Sequence, residues 1–240
     1  AGTAREGDLA QTPDLSAKGF CWIHLVQNDP QTLSWLDQAN LDPIVRQAIT
    51  ADETRPRCTQ FGEGAILILR GVNLNDGERP EDMVSVRLWI TDRMILSFGL
   101  RSLQAISDLQ TASVSAHASK SPGDLIGRLT QRLADRAEPT VAALNEQLDD
   151  LEETLLGAEK PANPASLGDV RRAAIALRRY MVPQRDALTT LMIEDFNWLA
   201  RSDLARLREA SDRITLLAEN LDAIRDRAQI LHDQLADQRS

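Results

Sequence analysis

Residues 203–238 contain neither proline nor glycine and keep an unbroken helical period, which constrains this chain more than any other feature. At about 100° per residue, Leu217, Leu221, Ile224, Ala228, Leu231 and Leu235 fall on one narrow stripe. Asp212, Glu219, Asp222, Asp226, Asp233 and Asp237 fall opposite, within roughly 40° of a common line. Arg206, Arg208, Arg213, Arg225 and Arg227 lie mostly on the flanks or nearer the apolar stripe. Such a helix reaches roughly 55 Å, more than a compact domain of this size needs. One face is built to pack, and the other carries only negative charge. Two readings stay open here: the polar face is simply solvated, or several copies surround an axis and turn the acidic line toward a passage for cations.

A chain of 240 residues can bury a real core and form one or two domains. Aromatics are only 4% of it, which suits a helix-rich body packed with Leu and Ala. The net charge of -9 argues against nucleic acid or an anionic membrane surface as the main ligand and is compatible with cations. Cys21 and Cys58 make no disulfide framework and point to a reducing compartment. Residues 1–19 read as a flexible lead-in whose polar start holds no signal peptide. No window of 18 apolar residues exists, so the chain as given is not expected to span a bilayer. The helical pattern runs to Ser240 with no Gly or Pro stop signal, as expected of a truncated helix.

The run 20–26 is rich in β-formers and predicts a first strand. Asn28-Asp29-Pro30 and Asp42-Pro43 are helix starts with proline in the first turn. Leu33, Leu36 and Ala39 are expected to form the buried face of the first helix, and Ile44, Val45, Ala48 and Ile49 mark the second. Strands are predicted over 57–61, 64–72, 83–91 and 93–99, with Val84, Val86, Leu88 and Ile90 alternating against Ser85 and Arg87. The result is a meander with the first strand brought in across two helices. Helices follow over 102–114, 124–137 and 140–156. A Pro/Gly-rich break over 157–168 then leads into a helix over 169–193, making an antiparallel hairpin that Pro183 should kink. The fold class is therefore α/β (α+β): a β-sheet flanked by helices over 20–200, a helical hairpin, and a long C-terminal helix over 201–240.

Motifs of catalysis are missing from the sequence. Cys21 and His24 have C-x-x-H spacing, but positions i and i+3 of a strand point to opposite faces, and two further ligands are lacking nearby. His117 and His232 have no recognisable partners, and no Gly-rich phosphate loop, G-x-S-x-G or H-E-x-x-H occurs. Asp149-Asp150 and Glu152-Glu153 read as solvated helix charge. The dense arginines of 54–57 and 178–186 read either as charge compensation across the hairpin or as a subunit contact. The chain is not expected to be an enzyme and requires no cofactor.

Several blocks in a fixed order carry a resemblance: Ile44-Val-Arg-Gln-Ala, Glu53-Thr-Arg-Pro-Arg57, Ile68-Leu-Arg-Gly-Val-Asn73, Pro80-Glu-Asp-Met-Val84 and Arg179-Tyr-Met-Val-Pro-Gln-Arg-Asp186. From about Phe20 onward the chain resembles the CorA-like metal-ion transporters, and within them the zinc-transporting ZntB branch. The resemblance implies a cytoplasmic α/β/α domain whose long stalk helix leads into two membrane helices, in a funnel-shaped homopentamer of the inner membrane. Those membrane helices and the Gly-Met-Asn signature between them are not in this chain. What remains resembles the cytoplasmic portion, with roles in assembly, regulation and cation attraction. On that reading Asp226, Asp233 and Asp237 attract cations near the membrane end, with Glu219 and Asp222 further out. Zinc is the expected ion. Magnesium or cobalt within the same family, or a non-transporting helical scaffold, are the alternatives.

Overall fold

The computed structural model describes residues 7, 9, 19–52, 54–114, 117–156 and 164–238. Among them the elements run β1 (Cys21–Val26), α1 (Pro30–Gln38), α2 (Pro43–Thr50), β2 (Arg57–Phe61), β3 (Gly64–Gly71), β4 (Val84–Ile90), β5 (Met94–Gly99), α3 (Gln104–Val114), α4 (Pro122–Leu156), α5 (Pro164–Ile193) and α6 (Arg201–Gln238). The sheet order is β1-β5-β4-β3-β2. β1 lies parallel to β5, and the other pairs are antiparallel. This is the expected meander, with β1 inserted at its far edge.

The two short helices start where their caps dictate. Asp29 accepts from the Gln31 N–H at 2.9 Å and Asp42 from the Ile44 N–H at 2.8 Å, each just before a proline. The buried face of α1 differs from expectation. The Thr32 hydroxyl donates to the Val26 carbonyl at 2.8 Å and is itself buried, which rolls Leu36 inward and leaves Leu33 63% exposed.

Both faces of the sheet are covered. Leu67, Leu69, Val86, Leu88 and Ile95 join the core shared with α3 to α6. Ile23, Leu25, Leu96 and Phe98 join Leu36 and Ile49 beneath α1 and α2, with Leu9 of the lead-in packed against them. The alternation in β4 therefore does not separate inside from outside. Ser85 and Arg87 are buried as fully as their apolar neighbours, because α2 closes over their face.

Two helix boundaries are corrected. The expected helices 124–137 and 140–156 are one, α4, which continues through Pro139. Pro139 is exposed, so the carbonyl it leaves without an N–H partner can be hydrated, while Leu133, Ala137, Val141 and Leu144 hold both halves on one core. Residues 164–168, expected within the break, form the first turn of α5 behind Pro164, and 157–163 lie outside the described residues. Helix α5 is continuous through Pro183.

All six positions of the apolar stripe on α6 are buried. α6 packs most extensively on α5 and then on α4. It runs parallel to α4, since Arg213 meets Asp135 and Arg227 meets Asp149 further along both helices.

Candidate functional site

With its stripe buried, α6 turns the other side outward. Asp212, Glu219, Asp226, Asp233 and Asp237 are exposed. Leu216 (56%), Ala223 and Ile230 (57%) are exposed between them. Together they make a line of steps 4-3-4-3-4-3-4: Asp212, Leu216, Glu219, Ala223, Asp226, Ile230, Asp233, Asp237. That is the period of a helix seam meeting another helix. Its apolar members sit beside the acids rather than on the core stripe, so a search for the buried face alone does not pick them out. Their seven-residue recurrence is the signal that finds them.

The charges of α6 are sorted by face. Arg206 pairs with Asp124 of α4. Arg213 reaches Asp135 at 2.6 Å and Glu138 at 2.7 Å, and Arg227 reaches Asp149 at 2.7 Å and Glu152 at 2.5 Å. The Asp135 and Glu138 carboxylates raise the Arg213 guanidinium above its ordinary pKa, so it stays charged. Asp149 and Glu152 thus belong to a seam with α6; they are neither freely solvated nor answered by the hairpin partner. Arg206, Arg213 and Arg227 are thus spent on α4, while Asp212, Glu219, Asp233 and Asp237 are left toward solvent.

The five residues singled out from the sequence are not equivalent. Glu219 and Asp237 are exposed. Asp233 is 65% exposed at its side chain, 3.8 Å from His232, and accepts from Gln229 at 2.7 Å. Asp226 lies 2.8 Å from Arg225. Asp222 is set apart: it is half-buried between Arg178 of α5 at 2.7 Å and Arg225 at 2.8 Å, off the exposed line.

Among the described residues no group of three or more His, Cys, Asp or Glu side chains could hold a metal. His24 Nδ1 lies 2.9 Å from Ser97 Oγ, and burial pushes its pKa down to about 4, so it is a neutral structural residue. Burial, with Glu194 adding to it, pushes the Cys58 thiol up to about 12, which leaves it inert.

Four of the five motif blocks converge at Arg70 of β3. Its guanidinium donates to the Thr54 carbonyl at 2.8 and 3.1 Å and to the Met83 carbonyl at 2.7 Å. It lies 4.1 Å over the Tyr180 ring. The Arg70 N–H, beyond the end of β2, donates to Gln184 Oε1 at 2.6 Å. One side chain thus ties four distant sequence blocks into a joint that seats α5, and with it α6, on the sheet.

A sheet covered on both faces, a helical hairpin and a long helix with an outward acidic seam define a helix-stalked α/β domain. Residues 17–240 match the family described as CorA-like Mg2+ transporter protein, and the chain belongs to that family. It is 34% identical over 216 residues to the zinc transport protein ZntB of Pectobacterium carotovorum subsp. carotovorum (strain PC1), covering 90% of this chain and 66% of that protein. It is 34% identical over 224 residues to the divalent cation transporter CmaX of Pseudomonas aeruginosa (strain PAO1), covering 92% of this chain and 67% of that one. The structure of full-length CmaX is similar with a TM-score of 0.84 and 31% identity, over 91% of this chain and 68% of CmaX. The ZntB cytoplasmic domain from Vibrio parahaemolyticus RIMD 2210633 shares the fold, with a TM-score of 0.81, 21% identity and coverage of 93% of this chain and 89% of that domain. The chain therefore spans about two thirds of the length of these full-length relatives.

Proposed function

We propose that this chain is the cytoplasmic funnel portion of a divalent metal cation transporter of the inner membrane, with zinc as its cargo. The observation that carries the reading is the exposed 4-3 line on α6, in which acids alternate with Leu216, Ala223 and Ile230. A helix gains nothing in its own fold from exposing Leu and Ile at that period. Parallel copies around an axis give those side chains partners and bring the carboxylates into rings. The names of the relatives, a zinc transport protein and a divalent cation transporter, supply the cargo class. Magnesium and cobalt are the competing ions, because carboxylates draw hard and borderline divalent ions alike by their charge.

The assembly follows the homopentamer implied by the family, anchored through membrane segments that are not in this sequence. One ring of five carboxylates about 10 Å from an axial divalent ion attracts it by roughly 4 kcal/mol unscreened and about 1 kcal/mol at physiological salt. Successive rings make a graded funnel rather than a tight site. Neutralising Asp226, Asp233 and Asp237 together in the full-length protein should slow zinc uptake into vesicles and flatten its dependence on ionic strength. Unchanged uptake across a range of salt rejects the reading. Parallel assays with zinc, magnesium and cobalt assign the ion.

A further inference from the structure

The acidic line is not evenly charged along its length. Near its middle, Arg225 Nη1 lies 2.8 Å from Asp222 Oδ1 and Nη2 lies 2.8 Å from Asp226 Oδ1. Arg178 Nε, from α5, lies 2.7 Å from that same Asp222 oxygen. Two carboxylates and two guanidinium groups close a set with no net charge. Away from it the line is acidic on both sides, at Asp212 and Glu219 toward one end and at Asp233 and Asp237 toward the other. Arg206, Arg213 and Arg227 turn to the acids of α4. Arg225 differs from these three in spending its charge on the line itself.

We infer that Arg225 is a built-in counter-charge that sets how strongly the α6 line draws cations. The inference rests on the proposed inward orientation of that line. An ion travelling along α6 then meets two attractive zones separated by a neutral band, instead of one continuous gradient. The Arg225–Asp226 pair is loosely held: the two side chains are 34% and 64% exposed, and exposed pairs of this kind are weak. A divalent ion arriving at Asp226 can therefore displace the guanidinium, which keeps Asp222 as its partner. Electrostatically, removing the Arg225 charge from every copy resembles adding one ring of carboxylates. For five copies that corresponds to about a five- to tenfold change in local divalent occupancy at physiological salt.

The bland alternative is that Arg225 serves only the fold, by steadying Asp222 against α5. The two roles separate in vesicles containing full-length protein, assayed for initial zinc uptake at sub-saturating zinc. Arg225→Gln should raise the initial rate several-fold, by an amount that shrinks as salt is added. Arg225→Lys keeps the charge, and Arg46→Gln removes an equal charge from α2, on the far side of the sheet; both should stay near wild type. Asp233→Asn, the control for the line itself, should lower the rate. Arg225→Gln at or below the wild-type rate, with Asp233→Asn still lowering it, overturns the counter-charge and leaves the acidic line standing. Asp233→Asn without effect brings down the reading beneath it as well. A thermal melt of each variant confirms that the protein compared is folded.

Discussion

Arg70 lies over the Tyr180 ring, the guanidinium carbon 4.1 Å from the ring centroid, and so joins an inner strand of the sheet to the helix that carries α6. The guanidinium also forks onto the Thr54 carbonyl through Nε and Nη2. A lysine has no fork of donors to span the Thr54 and Met83 carbonyls at once while keeping its charge over the ring. Arg70→Lys should therefore cost about 1–3 kcal/mol of stability. Gln184→Leu, which strips the Arg70 N–H of its acceptor at a buried edge, should cost about as much. Chemical denaturation of the purified domain measures both, and values near zero would mean that the joint does not hold α5 to the sheet.

Arg87 behaves in the opposite way. It is fully buried on β4 and donates through Nη2 to the Asp52 carbonyl at 3.1 Å, just past the C-terminal end of α2. Among the described residues its Nε and Nη1 have no hydrogen-bond partner. Burial, and then the charge of Arg70, lower its pKa. A buried charge so sparsely answered contributes little net stability. Arg87→Met should leave the folding free energy within about 1 kcal/mol of wild type, or raise it. A large loss in the denaturation midpoint would contradict this.

His24 should make the fold sensitive to mild acid. Its folded-state pKa is lowered to about 4 from the ordinary 6.5, through burial. The unfolded chain therefore takes up the proton first as pH falls, and stability tied to neutral His24 is complete above about pH 6.5. That stability drains as pH falls toward about 4. Melting curves between those limits should drop for the wild type, and the drop should be smaller in His24→Asn. Parallel curves would show that other groups set the acid response.

Asp124 gives a second, lower window. Burial alone raises its pKa, but the Lys120 N–H and the Arg128 and Arg206 guanidinium groups outweigh burial and hold it below the usual range. Its contribution is thus present above the ordinary Asp value near 3.9 and lost as pH falls through the depressed one. Asp124→Asn should destabilise at neutral pH by about 1–3 kcal/mol. The gap to wild type should close in strong acid, and a gap independent of pH would remove the charge from the explanation.

Much of the fold was written locally. Asp29 and Asp42 with their prolines fix two helix starts, and the 217–235 stripe names the residues that α6 buries. What escaped local reading depends on distant partners. Arg87 looks like an outward position until α2 is laid over it, and Thr32 displaces Leu33 only because Val26 offers a carbonyl. Pro139 breaks a pattern on paper, yet a shared core on both sides of it keeps α4 whole. The acids of the candidate site could be picked out by periodicity. The inequality between Asp222, tied into an arginine network, and Glu219, left toward solvent, required α5 in place.

The central claim is that the exposed line of α6 meets its own copies. Single cysteines at Ala223 and Ile230, in full-length protein with Cys21 and Cys58 replaced by serine, can be treated in membranes with a short bis-maleimide. The account predicts cross-linked oligomers at both positions and monomer for a cysteine at Arg46 on α2. Monomer at Ala223 and Ile230, or cross-linking no greater than at Arg46, would contradict it.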